Sequence, residues 1–279
     1  MREGRVARGR IEIAWEEHGR GARALVLVHG FTGSRRDFGP QLEALARLGR
    51  TVLVDLRGHG ASSNTGASHD YRLDALCDDL LGVLDATGCG RCDLLGHSMG
   101  GMVALRAALR APERLASLIL MDTSPRALEG IPLDVFRQAW EIARQSGMNS
   151  LLEILRSRGS DSTRTDADRR LEQEWGDAYW SDWRVPNFTA MDPEAYAALG
   201  REMVEQASLE PRLGEIATPT LVLVGEQDAP FLASSEALER GIPDARLVLI
   251  PDAAHQPQLE NPPAWLAALE DHLKRVRGA

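Results

Sequence analysis

Asp93-Leu-Leu-Gly96-His97-Ser98-Met99-Gly100-Gly101 decides how this chain is read. A short apolar run passes through a glycine-flanked turn. The amphipathic stretch that follows reaches Arg110, so the pattern is strand, sharp turn, helix. A serine in the middle of such a turn must take a strained backbone conformation, and the neighbouring chain approaches so closely that only glycine fits on either side. Its hydroxyl then stands clear of the sheet at the start of a helix, where free N–H groups favour developing negative charge. A G-x-S-x-G in this setting reads as a nucleophile elbow, with Ser98 as the nucleophile. The pentapeptide alone is weak, and the strand before it and the helix after it give it weight.

Working outward, further apolar runs read as buried strands. They are Leu25-Val-Leu-Val28, Thr51-Val-Leu-Val54, Leu118-Ile-Leu-Met121, Leu221-Val-Leu-Val224 and Leu247-Val-Leu-Ile250. None alternates, as expected where both faces of a sheet are covered. Helical patterns lie between most of them, at Pro40–Leu48, Tyr71–Thr87, Ser98–Arg110 and Phe231–Arg240. Strands and helices in alternation predict an α/β fold, a doubly wound and mostly parallel sheet. Arg10-Ile-Glu-Ile-Ala-Trp15 alternates and is expected at a sheet edge. His18 and His272 lie in polar stretches expected to be exposed. The rhythm stops between 126 and 208, where no strand-like run occurs and four tryptophans gather (Trp140, Trp175, Trp180 and Trp183). The expected organisation is a core from 1–125, an inserted helical cap at 126–208, and the rest of the core at 209–279.

Composition narrows the function. The net charge of −9 argues against nucleic acid or an anionic membrane as partner, since both would repel it. The first ten residues carry charge but no apolar stretch, and no run is long enough for a membrane span, so a cytoplasmic location is expected. Cys89-Gly-Arg-Cys92 is a C-x-x-C, but it leads from a helix into a strand, opposite to a redox turn. Reduced thiols are expected. No metal-ligand spacing appears, and neither a metal nor an organic cofactor is expected.

A nucleophilic serine needs an oxyanion hole, a base and a carboxylate that orients the base. Two backbone N–H groups should supply the hole: that of Met99, which follows the nucleophile, and that of Phe31, in His29-Gly30-Phe31 after an early strand. Of the seven histidines, His29, His59 and His97 sit in glycine turns and read as structural. His69 lies in a polar loop. His255, in Pro251-Asp-Ala-Ala-His255, follows the last strand on the face where Ser98 emerges, and is the candidate base. Asp228, after Leu221–Val224, is the candidate acid. Asp122, after Leu118–Met121, is its rival, and Glu226 is less well placed in its turn.

Five blocks together resemble the α/β-hydrolase superfamily: Val28-His-Gly-Phe31, Asp55-Leu-Arg-Gly-His-Gly-Ala-Ser62, Gly96-His-Ser-Met-Gly-Gly101, Gly225-Glu-Gln-Asp228, and Ala254-His255 with Glu260-Asn-Pro262. The resemblance implies the order Ser98…Asp228…His255 and treats Asp55, Arg57 and His59 as scaffold. Ser98 stands where dehalogenases and epoxide hydrolases have aspartate. His97 and Gln256 depart from the usual carbon–carbon bond hydrolase pattern, and Met102 from that of menaquinone-pathway lyases. The reading is a serine carboxylesterase acting on small apolar esters. The alternatives are a lactonase, a carbon–carbon bond hydrolase or lyase with the same triad, and a silent binding protein of the same fold. Trp180, Trp183, Phe188 and Met191 are expected to line the pocket. The partner is a small-molecule ester, and the sequence leaves monomer and homodimer both open.

Overall fold

The computed structural model describes residues 1–129, 133–158 and 165–278. Its strands in chain order are β1 (Arg2–Arg8), β2 (Ile11–His18), β3 (Ala24–Val28), β4 (Arg50–Val54), β5 (Cys92–His97), β6 (Leu115–Met121), β7 (Thr220–Gly225) and β8 (Ala245–Ile250). They form one sheet in the order β1-β2-β4-β3-β5-β6-β7-β8. Pairings from β4 to β8 are parallel, and β2 meets both β1 and β4 antiparallel. The order reverses between β3 and β5, so the loops after these two strands diverge and leave a crevice at the carboxyl edge.

Strands β3 to β7 are mostly apolar because both of their faces are covered. Val26, Val28, Val52, Val54, Leu94, Leu118, Leu120 and Val222 point into one core. Helices α2 (Leu73–Ala86) and α3 (Met99–Arg110) cover that side. Leu25, Leu27, Leu53, Leu95, Ile119, Met121, Leu221 and Leu223 point into the other, against α1 (Leu42–Leu48) and the C-terminal helix. Alternate residues of one strand thus serve opposite cores, as the pleat requires.

Between β6 and β7 every regular element among the described residues is helical. These are α4 (Leu133–Arg158, broken at Gly147), α5 (Asp166–Trp175), a π-helical turn (Tyr179–Arg184), α6 (Val185–Thr189) and α7 (Pro193–Glu205). Thr165 begins α5 with a capping box, its hydroxyl accepting from the Asp168 N–H while the Asp168 carboxylate accepts from the Thr165 N–H. Helix α8 (Ala229–Gly241) joins β7 to β8, and α9 (Pro257–Glu260) and α10 (Pro262–Arg277) close the chain.

Two local expectations are corrected. The strand begun by Ile11 is not at the edge, because β1 pairs outside it from Arg2↔Glu17 to Arg8↔Ile11. Arg2-Glu-Gly-Arg-Val-Ala-Arg8 has too little apolar content to announce a strand, and its charges suit an exposed edge. His272 is fully buried, on the stripe of α10 that carries Trp265, Leu269 and Leu273 inward. Burial pushes its imidazole down to about 4.

Candidate active site

Ser98 sits between β5 and α3 with φ 54° and ψ −118°, a conformation that side chains rarely adopt. The surroundings enforce it. The Ser98 N–H donates to the Met121 carbonyl at 2.8 Å, and the Ser98 carbonyl accepts from the Thr123 hydroxyl at 2.6 Å and the Gly101 N–H at 2.9 Å. The flanking glycines are required by contact. A Cβ on Gly100 would lie 2.5 Å from the carbonyl oxygens of Val28 and His29, and one on Gly96 would strike the Gly100 carbonyl.

Three side chains from three loops meet here. His255 Nε2 lies 3.0 Å from Ser98 Oγ, and His255 Nδ1 lies 2.7 Å from Asp228 Oδ2. With Nδ1–H donating to Asp228, Nε2 is free to accept from the serine hydroxyl. Burial alone would push the His255 imidazole down. The Asp228 carboxylate, by charge and by hydrogen bond, outweighs that with help from Glu260 and Asp168, and the imidazole rises above its ordinary value.

Asp122 also reaches this cluster. It ends β6 at φ 47°, and its Oδ1 accepts from the Gly225 N–H at 2.9 Å. Burial, with Asp228 beside it, pushes Asp122 well above the usual carboxylate range. It stands beside Asp228 and makes no hydrogen bond to His255. Glu226 turns away and accepts from the Asp252 N–H. Asp122, Asp228 and His255 form the one grouping of potential metal ligands among the described residues, and the His255–Asp228 hydrogen bond already occupies two of its members.

The other turn histidines hold the scaffold. His29 Nε2 accepts from the Leu56 N–H at 3.0 Å, which leaves Nδ1–H to donate to the Gly30 carbonyl. His59 bridges the Arg57 and Phe31 carbonyls. His97 Nε2–H donates to the His255 carbonyl at 2.7 Å, tying the elbow to the histidine loop. Burial pushes His97 down to about 3, so it stays neutral. The imidazole of His69 is largely exposed. The N–H groups of Phe31 and Met99 have no acceptor among the described residues. Both residues stand beside Ser98, Met99 in the next position and Phe31 through the approach of Gly30 to the Ser98 Cβ.

Glu260, for which the sequence pattern assigns no role, ends α9 beside the histidine loop. Its Oε2 accepts from the Ala254 and Gln256 N–H groups at 2.6 and 3.1 Å, one on each side of His255. Burial raises Glu260 to about 7. Phe231 stacks on the His255 ring at 4.8 Å.

Ser98 and His255 open onto a cavity of about 370 Å³, walled also by Phe31, Phe136, Trp183 and Phe231. A larger recess of about 760 Å³ between α4 and α7 touches none of Ser98, Asp228 and His255, so size does not mark the site. Of the four expected lining residues only Trp183 borders the cavity. Trp180 donates to the Glu172 carboxylate at 2.6 Å and lies under the Arg156 guanidinium. Phe188 and Met191 are buried in the main core, with Phe188 against Tyr196. In a π-helical turn the side chains do not follow the 3.6-residue period, so spacing could not separate Trp180 from Trp183.

Three further polar residues escaped the sequence reading. Asp37 Oδ1 accepts from Trp183 Nε1 at 2.8 Å and Asn187 Nδ2 at 2.7 Å, and Ser34 Oγ donates to Asn187 Oδ1 at 2.6 Å. In sequence, Ser34-Arg-Arg-Asp37 looks only like a helix start.

The chain belongs to the α/β-hydrolase fold family, whose model matches residues 23–262. It is 32% identical over 268 residues to a pimeloyl-[acyl-carrier protein] methyl ester esterase of Edwardsiella ictaluri, covering 92% of this chain and 95% of that one. Among solved structures it resembles a thermophilic esterase of Thermogutta terrifontis, with 30% identity, TM-score 0.80 and 99% of both chains covered. It also resembles the enol-lactonase of Burkholderia xenovorans, with 26% identity, TM-score 0.78, and 97% of this chain and 100% of that one covered. No helix among the described residues is long and apolar enough to cross a membrane.

Proposed function

We propose that the protein is a serine hydrolase of carboxylic esters that works through an acyl-enzyme on Ser98. The observation that carries this reading is the continuous chain Ser98 Oγ, His255 Nε2, His255 Nδ1, Asp228 Oδ2, with spacings of 3.0 and 2.7 Å, opening on a cavity of about 370 Å³. The esterase and enol-lactonase relatives support the same chemistry.

In this mechanism His255 takes the Ser98 proton as Oγ attacks the ester carbonyl. The carbonyl oxygen becomes an oxyanion, held by the Phe31 and Met99 N–H groups. The imidazolium, stabilised by Asp228, gives its proton to the leaving alcohol as the carbon–oxygen bond breaks. Water then enters, loses a proton to His255 and cleaves the acyl-enzyme, restoring Ser98. The raised imidazole suits a group that must hold a proton while each tetrahedral intermediate lasts. The described residues of 126–208 act as a cap over the site: Trp183 and Phe136 form part of the cavity roof, and Asp37 fixes that roof to the core.

Ser98→Ala tests the reading. It is expected to abolish hydrolysis of a short 4-nitrophenyl ester and labelling by a fluorophosphonate. Retained activity in that variant would sink the proposal.

A further inference from the structure

Arg184 ends the π-helical turn and borders the cavity that holds Ser98. It is half-buried, yet no carboxylate among the described residues lies within ion-pair distance of it, and no acceptor bonds to it. Other half-buried arginines are matched: Arg35 pairs with Glu16 and Asp55, and Arg50 with Glu17, while the more deeply buried Arg57 pairs with Asp79. A guanidinium carries five donors, and removing it from water without an acceptor is unfavourable. What Arg184 does have is a place near the Trp183 ring, 5.8 Å from its centroid.

Its charge reaches two landmarks, lowering both Asp37 and Tyr196 against the rise that burial gives them. Tyr196 packs on the Phe31 ring at 5.0 Å. The guanidinium therefore lies on the side of the cavity where Asp37, Tyr196 and the oxyanion loop meet. The two carboxyl groups of the cavity wall do not satisfy it. Asp37 gives Oδ1 to Trp183 and Asn187, and Asp168 binds the Thr165 N–H and hydroxyl.

We infer that Arg184 is an anion subsite, and that the preferred substrate is an ester whose acyl chain ends in a carboxylate. The guanidinium would take that carboxylate in the paired geometry it is built for, while Ser98 attacks the carbonyl at the other end. This rests on the ester hydrolysis proposed above and narrows its acyl group, which the sequence suggested would be apolar.

The test compares the 4-nitrophenyl monoester of glutaric acid with 4-nitrophenyl pentanoate at pH 7.5. The unmodified protein is expected to favour the acid in kcat/KM by about ten- to hundredfold, the range for charge-assisted hydrogen bonds. Arg184→Gln should bring that ratio close to one, and Arg184→Lys should restore part of it. A second readout is independent of turnover: Ser98→Ala should bind monomethyl glutarate, and the Ser98→Ala/Arg184→Gln pair should not. No preference for the acid, or a preference that survives Arg184→Gln, would overturn the subsite. Arg184-dependent binding without hydrolysis of any ester would instead sink the hydrolase reading and leave the subsite standing.

Discussion

Asp37→Asn removes a carboxyl group that is 2% exposed and raised from 3.8 to about 7 by burial, against the opposing pull of the Trp183 hydrogen bond and the Arg184 charge. In the unfolded chain the group ionises near its ordinary value. In the folded protein it keeps its proton up to about 7. Its contribution to stability is thus complete below pH 3.8 and is lost as pH rises through the folded value. Between pH 5 and 7 the unfolded group is ionised and the folded one is protonated, so the loss runs at about 1.4 kcal/mol per pH unit, or about 3 kcal/mol in all. Asparagine can still accept from Trp183 and Asn187 through Oδ1 but cannot ionise. Relative to the unmodified protein, Asp37→Asn should therefore gain about 3 kcal/mol between pH 5 and pH 8. Glu260 and Asp122 push in the same direction, but they are present in both proteins and cancel in the difference. Urea unfolding at pH 5, 6, 7 and 8 measures it. Parallel curves for the two proteins would refute the reasoning, since Asp37 would then ionise as easily folded as unfolded.

Asp228→Asn should lower kcat on the order of 10³- to 10⁴-fold, because the amide N–H can donate to Nδ1 and leave the ring proton on Nε2, where it cannot take the Ser98 proton. The acid limb of the pH–rate profile should lie above 6.5 in the unmodified protein and move down in this variant, since the Asp228 carboxylate is the chief group holding His255 up. Gly100→Ala drives a methyl group into two carbonyl oxygens that cannot yield, and should cost about 3 kcal/mol of stability in denaturant titration. Cys77, Cys89 and Cys92 are buried free thiols, and burial pushes Cys77 up to about 11. They should react with Ellman's reagent only after unfolding, and rapid labelling of the native protein would contradict this.

The central sheet was legible because β3 to β7 carry apolar residues on both faces, and buried parallel strands have few other sequence patterns. The elbow was legible because Gly96 and Gly100 answer a steric demand that no other residue meets. Ser98, Asp228 and His255 could be picked out because each follows the carboxyl end of a strand. The structure separates Asp122 from Asp228 by distance to His255, which sequence order alone does not give. Strand β1 was hidden because its pairing, not its composition, makes it a strand. The cavity wall was hidden for a different reason. Trp180 and Trp183 are alike in type and differ only in the direction imposed by a π-helical turn. Asp37 and Asn187 lie 150 positions apart, and no local pattern joins them.

The Asp37 hydrogen bonds have a bearing on how specificity can change hands. Exchanging the cap proposed for 126–208 with that of another hydrolase would place a foreign roof over the same core. In this protein such a graft would remove Trp183 and Asn187 while leaving Asp37 in the host, buried and stripped of both donors. The transplant would succeed only from a donor that brings an equivalent pair of N–H groups, or together with a change at position 37. The seam between roof and base therefore runs through Ser34 and Asp37, well before the segment 126–208 begins, and a successful exchange would have to be cut there.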